Sequence, residues 1–264
     1  LPDAPNVQTV SPYIGIVFSL KEELRPFLRL CPLPPDPASH APQMFSGSIP
    51  GVRLPVVATA CGTGAMAAEE AVRALHAHPS GPPSALVICG FCGGLATNLA
   101  PSDLVLADRV VTRSGSSYHP DTVLLAKAAT LSIGGKRPAK GTLFTCERVL
   151  VTPAEKQHAR KQTDASIVDM ETAGAAGAAD ALQIPWIAVR VLTDGALDAM
   201  PLDFNLLADF QGNVIPGRVL AAVAAQPWKI PALIKLGMRS SRAAADLAVY
   251  LRALLASLAD EKSV

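Results

Sequence analysis

The chain has 264 residues, 50% hydrophobic and 17% charged, with a formal net charge of +1. That length fits one large α/β domain or two small ones, and the apolar content excludes a disordered chain. The balanced charge gives no electrostatic case for nucleic acid or an acidic partner, and no apolar run reaches the length of a membrane span.

The opening LPDAPNVQTV has neither the basic start nor the apolar stretch of a signal peptide. YIGIVFSL (13–20) is a compact run with β-branched residues and reads as a buried strand. KEELRPFLRL follows with helical spacing and sets Glu22 and Glu23 just past the strand end. Five prolines in CPLPPDPASHAPQ (31–43) make that segment a loop. VRLPVVATACGTG (52–64) is predicted as a strand ending in a glycine turn, and AMAAEEAVRALHAH (65–78) as a helix.

SALVICGFCGG (84–94) and DLVLADRVVT (103–112) are further strands. TVLLAKAATLS (122–132) is predicted helical and TLFTCERVLV (142–151) extended. ETAGAAGAADALQ (171–183) is a helix whose glycines allow close packing, and PWIAVRVLTD (185–194) is a strand. Strands and helices alternate, and the strands are continuous apolar runs. That is the pattern of a central, largely parallel sheet with helices on both faces, and ligands in such sheets bind at the strands' carboxyl ends. With no internal repeat and no interdomain linker, residues 1–264 read as one domain, with a divergent helical section from about residue 200. Leu247, Tyr250, Leu251, Leu254, Leu255 and Leu258 in that section fall on one face of an amphipathic helix. The segment before it, 215–241, mixes apolar residues with Arg218, Lys229, Lys235 and Arg239.

The five cysteines are odd in number and mostly lie in apolar segments, which predicts reduced thiols and a cytoplasmic protein. Cys89 and Cys92 have C-x-x-C spacing, but no second knuckle and no paired histidines accompany them. They are read as buried and chemically idle, and no metal is expected. The glycines around them, Gly90, Gly93 and Gly94, carry more information, because glycine lets a ligand approach the main chain. SIVDMETAGAAGAA (166–179) sets Asp169 and Glu171 around Met170; helix-start capping is the plain alternative. Arg190 lies inside an apolar strand and needs a partner or water.

Five segments in this order, IGIVFSLKEEL, CGTGAMAAEEA, ICGFCGGLATNLAPSDLVLAD, VDMETAGAAGAA and IPWIAVRVLTDGA, resemble the nucleoside phosphorylase and nucleosidase superfamily, especially its methylthioadenosine/S-adenosylhomocysteine nucleosidase branch. They span most of residues 14–198, and V-D-M-E and the strand-end T-D-G-A are the most specific. The resemblance implies a three-layer α/β fold with a central mixed sheet, and N-ribosyl hydrolysis of a 5′-substituted adenosine-type nucleoside without a cofactor. It places Glu171 on the ribose hydroxyls and Met170 against the sugar. Asp194, beside Thr193, then protonates or hydrogen-bonds N7 of the purine, which a carboxylic acid does near neutral pH only if its environment raises its pKa. Glu23, with Glu22 as the neighbouring alternative, faces the attacking water. Val149 and Leu150 sandwich the base or use backbone groups on its edge. Cys92, Gly93 and Thr63 line the pocket.

Phosphorolysis at the same site and a non-catalytic nucleoside-binding role are the alternatives. Backbone N–H groups of CGTG and the Thr63 hydroxyl would serve a phosphate, but no arginine pair stands beside them and Glu23 would repel it. The resemblance also implies a homo-oligomer, such as a homodimer. Thr193 in place of the usual serine, a short middle region and the apolar, basic C-terminal section keep the hopanoid-associated branch in view. That branch is thought to remove adenine from an adenosyl lipid, and this chain's C-terminal section would suit a large lipidic 5′ group or a membrane-adjacent enzyme with peripheral membrane contact.

Overall fold

The computed structural model describes residues 12–39, 42–207 and 215–258. The first strand, β1 (Ile14–Phe18), leads into α1 (Lys21–Leu30), then β2 (Met44–Gly47), β3 (Val56–Ala60) and α2 (Ala65–His76). The ten-residue β4 (Ala85–Gly94) is followed by β5 (Leu104–Thr112), β6 (Ser117–Tyr118) and α3 (Thr122–Thr130). Next come β7 (Ala139–Thr145), α4 (Pro153–Thr163), β8 (Ile167–Asp169), α5 (Thr172–Ala181) and β9 (Trp186–Asp194). Three helices close the described chain: α6 (Phe204–Leu207), α7 (Pro216–Ala225) and α8 (Ile230–Leu258).

The nine strands form one mixed sheet in the order β2-β3-β1-β4-β8-β7-β5-β6, with β9 pairing both β4 and β5. Strands β1, β3, β4 and β9 run parallel, as do β5, β7 and β8, while β4–β8 and β5–β9 are antiparallel. The strand β4 thus meets β1, β9 and β8, and the loop of pairings β4-β9-β5-β7-β8-β4 closes on itself.

Alternation along the strands divides the core into two layers. Val17, Ile88, Cys92 and Leu192 pack with Ala68, Val72 and Leu75 of α2 and Ala175 and Ala179 of α5. Ile16, Val87, Cys89 and Val189 point the other way, onto Leu24 and Phe27 of α1 and Leu247, Leu251 and Leu254 of α8. This is the expected three-layer α/β arrangement. On the first layer α2 and α5 cross with backbones touching. A Cβ at Gly174 would lie 1.9 Å from the Ala65 carbonyl oxygen, so the small-residue run ETAGAAGAA is a packing face.

Some sequence expectations shift. The strand expected over 142–151 ends at Thr145, and the rest is loop. The strand expected from residue 52 starts at Val56. The helix α4 was not anticipated, although Thr152 and Glu155 form a capping box ahead of it. The short β8 was read as the approach to a helix; it is a buried strand of three residues. The glycines Gly90, Gly93 and Gly94 lie inside β4 rather than in a turn after it, with the register slipping between Cys92 and Gly93. The amphipathic face Leu247–Leu258 is the packed half of α8, which starts much earlier, at Ile230.

Candidate active site

The carboxyl ends of β1, β4, β8 and β9 converge on a cavity of about 330 Å³. Glu23 reaches it from the first turn of α1. Its carboxylate folds back to accept the Leu20 N–H at 2.8 Å and also accepts the Phe91 N–H of β4 at 2.7 Å. It is buried. Burial pushes its pKa up to about 7; the two N–H donors and Arg190 oppose that rise, and the nearby Glu171 adds to it.

Arg190 is the buried hub beneath the cavity floor. Its Nη2 pairs with Asp169 Oδ2 at 2.6 Å, Nε and Nη2 donate to Thr172 Oγ1, and Nη1 donates to Ser19 Oγ at 2.9 Å. Burial works against its charge, but Asp169, Glu171 and Glu23 outweigh that and hold its pKa above the usual arginine range. Asp169 also accepts hydroxyl hydrogen bonds from Thr145 and Thr172. Asp169 is therefore the counter-ion that the strand arginine required, and more than a helix cap. Gly90 makes this packing possible: a Cβ there would lie 2.6 Å from Arg190 Nη1 and 2.8 Å from both Glu23 Oε2 and Ser19 Oγ.

Glu171 lies two residues past the end of β8, at the N-cap of α5. Its Oε1 accepts the Gly64 N–H at 3.0 Å, which ties it to the glycine turn after β3. Burial and then the charge of Asp169 raise its pKa, with Arg190 opposing. Gly64 sits at φ +99°, open to glycine at little cost. Within that turn the Cys61 N–H donates to Phe18 O, Gly62 N–H to Ser19 O and Gly64 N–H to Glu171. These backbone donors are already spent on protein acceptors.

Asp194, at the end of β9, forms a buried ion pair with Lys156 of α4. The lysine also donates to the carbonyls of Gly195 at 2.8 Å and Asp198 at 2.9 Å, so all three ammonium protons have acceptors. The other carboxylate oxygen, Oδ1, accepts the Thr193 hydroxyl at 2.8 Å. The sequence implied surroundings that keep the Asp194 carboxyl protonated; the structure instead sets the Lys156 ammonium against its carboxylate.

The loop after β7 forms another wall. Asn205 of α6 grips both backbone groups of Val149: Oδ1 accepts its N–H at 2.9 Å and Nδ2 donates to its carbonyl at 3.0 Å. Val149 therefore contributes a side-chain surface and has no spare backbone group for a base edge. The N–H and C=O of Leu150 make no hydrogen bond to any described residue. Arg148 pairs with Glu155 at 2.6 Å.

All ten residues singled out from the sequence line this one cavity: Glu23, Thr63, Cys92, Gly93, Val149, Leu150, Met170, Glu171, Thr193 and Asp194. Sequence reasoning missed Lys156, Asn205, Arg148 and the outer wall of Met200, Phe204 and Leu236. The capping box before α4 was the one available signal for Lys156; nothing in the sequence pointed to Asn205. Cys89 and Cys92 lie on opposite faces of the sheet, as a spacing of three along a strand dictates. Burial raises both thiol pKa values well above the ordinary range. The C-x-x-C spacing thus forms neither a clamp nor a reactive pair.

The sequence model of the phosphorylase superfamily matches residues 13–216. The chain is 25% identical to the 5′-methylthioadenosine/S-adenosylhomocysteine nucleosidase of Shewanella sediminis, over 73% of this chain and 90% of that protein. It is 26% identical to the nucleosidase of the same name from Listeria welshimeri, with the same coverage. Its fold is similar to that of the 5′-methylthioadenosine/S-adenosylhomocysteine nucleosidase from S. pneumoniae, with a TM-score of 0.72 at 19% identity, covering 93% of this chain and 99% of that one. It is likewise similar to futalosine hydrolase of Helicobacter pylori, with a TM-score of 0.72 at 15% identity, covering 92% and 97%. Matched over most of its length by the family's sequence model, with strand ends converging on one cavity, the chain belongs to the phosphorylase superfamily.

Proposed function

We propose that the chain is an N-ribosyl hydrolase that releases the base from a 5′-substituted adenosine. The observation that carries this reading is the buried Glu23 carboxyl, poised at a pKa of about 7, in one cavity with Glu171 and the Lys156–Asp194 pair. A base of that pKa takes a proton from water near neutral pH. The C1′–N9 bond breaks with its electron pair going to the base, and N7 takes a proton that the Lys156 ammonium releases through Asp194, leaving the lysine as a neutral amine. Water attacks C1′ and gives its proton to Glu23. Glu171 accepts the ribose hydroxyls, Met170 packs on the sugar, and Thr63, Cys92 and Gly93 complete that wall. Val149 and Leu150 cover the base, with the free backbone groups of Leu150 on its edge. Negative charge at Glu23 and Glu171 favours the oxocarbenium-like transition state.

The same charges disfavour phosphate as nucleophile. The cations lining the cavity are each paired, Lys156 with Asp194 and Arg148 with Glu155, and Arg190 beneath it is paired with Asp169. The nucleosidase relatives support hydrolysis. Turnover of methylthioadenosine with and without phosphate is the test: free base and a free ribose product, at a rate independent of phosphate, are expected. A ribose 1-phosphate product would overturn the reading.

A second reading concerns the 5′ group. Met200, Phe204 and Leu236 give the cavity an apolar outer wall, which favours an apolar substituent and keeps a hopanoid-linked adenosine in view. Comparing methylthioadenosine with an adenosine carrying a long alkyl 5′ group decides this. The five unpaired thiols accord with a reducing cytoplasmic setting. The family resemblance adds a homodimer, which light scattering measures.

A further inference from the structure

From Gly217 to Arg242 not one described side chain is buried. The segment comprises α7, a short turn at Pro227–Lys229 and the first half of α8, and it lies outside the buried core, touching the body of the molecule at the cavity and at Asp198. Only from Ala243 does α8 join the core. Among the described residues, Leu220 is 72% exposed, Trp228 71% and Met238 69%, and Ile230 and Ile234 are exposed beside them. Ile230, Ile234 and Met238 are spaced i, i+4, i+8 and form one apolar stripe; Lys235, Arg239 and Arg242 form a basic stripe next to it, in which Arg239 pairs with Asp198 at 3.0 Å and Arg242 lies 3.9 Å from Asp246. No Asp or Glu occurs between residues 215 and 245.

We propose that this α7–α8 elbow docks on an anionic phospholipid surface. An apolar stripe flanked by lysine and arginine is the pattern of a helix lying in the headgroup region, and Trp228 at the bend suits the polar–apolar boundary. The positive charge selects the occupant. A second copy of this segment brings no carboxylate from residues 215–245 to meet Lys229 and Lys235, whereas acidic headgroups complement them. No single described helix is long and apolar enough to cross a membrane; the two parts pass such a test only together, across a 102° bend, which suits lying along a surface. Leu236 and Ser240 on the same half of α8 line the cavity, so docking sets the cavity mouth at the lipid surface. The proposal is independent of the hydrolase reading, because binding is read without turnover.

The test is co-sedimentation of the full chain with vesicles of phosphatidylcholine plus about one-third phosphatidylglycerol, with pure phosphatidylcholine vesicles as the control. Binding to the anionic vesicles is expected, with a blue shift of Trp228 fluorescence and release at high salt. One lysine near such a surface is worth about fivefold in partitioning, so K229Q/K235Q weakens binding roughly 25-fold. I234S/M238S abolishes the blue shift, and both variants keep their turnover of a soluble nucleoside. Failure to bind anionic vesicles overturns the proposal, as does equal binding by the variants. A doubled mass in solution that reverts in I234S/M238S would also overturn it, by assigning the face to self-association.

Discussion

Lys156 and Asp194 face each other as a buried ion pair at the end of β9, with the remaining lysine protons held by the carbonyls of Gly195 and Asp198. Removing one partner strands a charge, which costs about 3–5 kcal/mol in a buried pair. Asp194→Asn is therefore expected to lose base release by at least a hundredfold and to lower the Tm. The double variant Lys156→Met/Asp194→Asn restores most of the Tm but none of the activity. Thermal melts beside turnover assays separate the two effects; full activity in Asp194→Asn would remove it from the chemistry.

Glu23 makes stability and activity move in opposite directions with pH. Its folded pKa of about 7 lies above its ordinary value of 4.5. The folded state therefore holds a proton that the unfolded chain has released, and stability falls as pH rises from about 4.5 to about 7. The loss approaches about 3.5 kcal/mol at most, at about 1.4 kcal/mol per unit. As the proposed base, Glu23 acts in its ionised form, so kcat/KM is expected to rise through about pH 7. Glu23→Gln should flatten this part of the stability profile and lower kcat by about 10²–10⁴-fold. Denaturant melts from pH 4 to 8 read the first effect.

Gly90→Ala places a methyl group against Arg190, Glu23 and Ser19. Overpacking of this kind costs about 1–3 kcal/mol. The displaced groups hold the proposed base, so activity should fall by more than the stability loss explains. A wild-type rate in a folded Gly90→Ala protein would show that Glu23 tolerates displacement.

Asn205→Ala releases both backbone groups of Val149. The loop before α4 loosens, and KM for the nucleoside is expected to rise about tenfold with a smaller change in kcat, since Asn205 touches no group in the proton transfers. Steady-state kinetics read the split. A loss confined to kcat would point to a direct role instead.

Much of this site was legible before folding was considered. Glu23 follows a strand, Asp194 ends one, and Glu171 sits in a V-D-M-E run; each is a short, local pattern. The glycines of VICGFCGG were also conspicuous, but their reason was not. Gly90 is small because Arg190 and Glu23, one from β9 and one from α1, meet over it. That requirement joins segments distant in sequence, so no local window contains it. Lys156 was missed for the same reason: within α4 its sequence neighbours are polar, and only the packing of α4 beside β9 turns it inward.

The sequence by itself determined the alternation of strands and helices, the apolar strand interiors and the residue types at the strand ends. Those follow from side-chain periodicity and from turn chemistry, which act over a few residues. The tertiary structure alone decided the charge partners, Lys156 with Asp194 and Arg190 with Asp169, and that Asn205 holds both backbone groups of Val149. It also decided that the two cysteines face opposite layers and that half of α8 stands clear of the core. Burial and charge pairing depend on which segments meet in space, and that is settled only when the strands pair into a sheet.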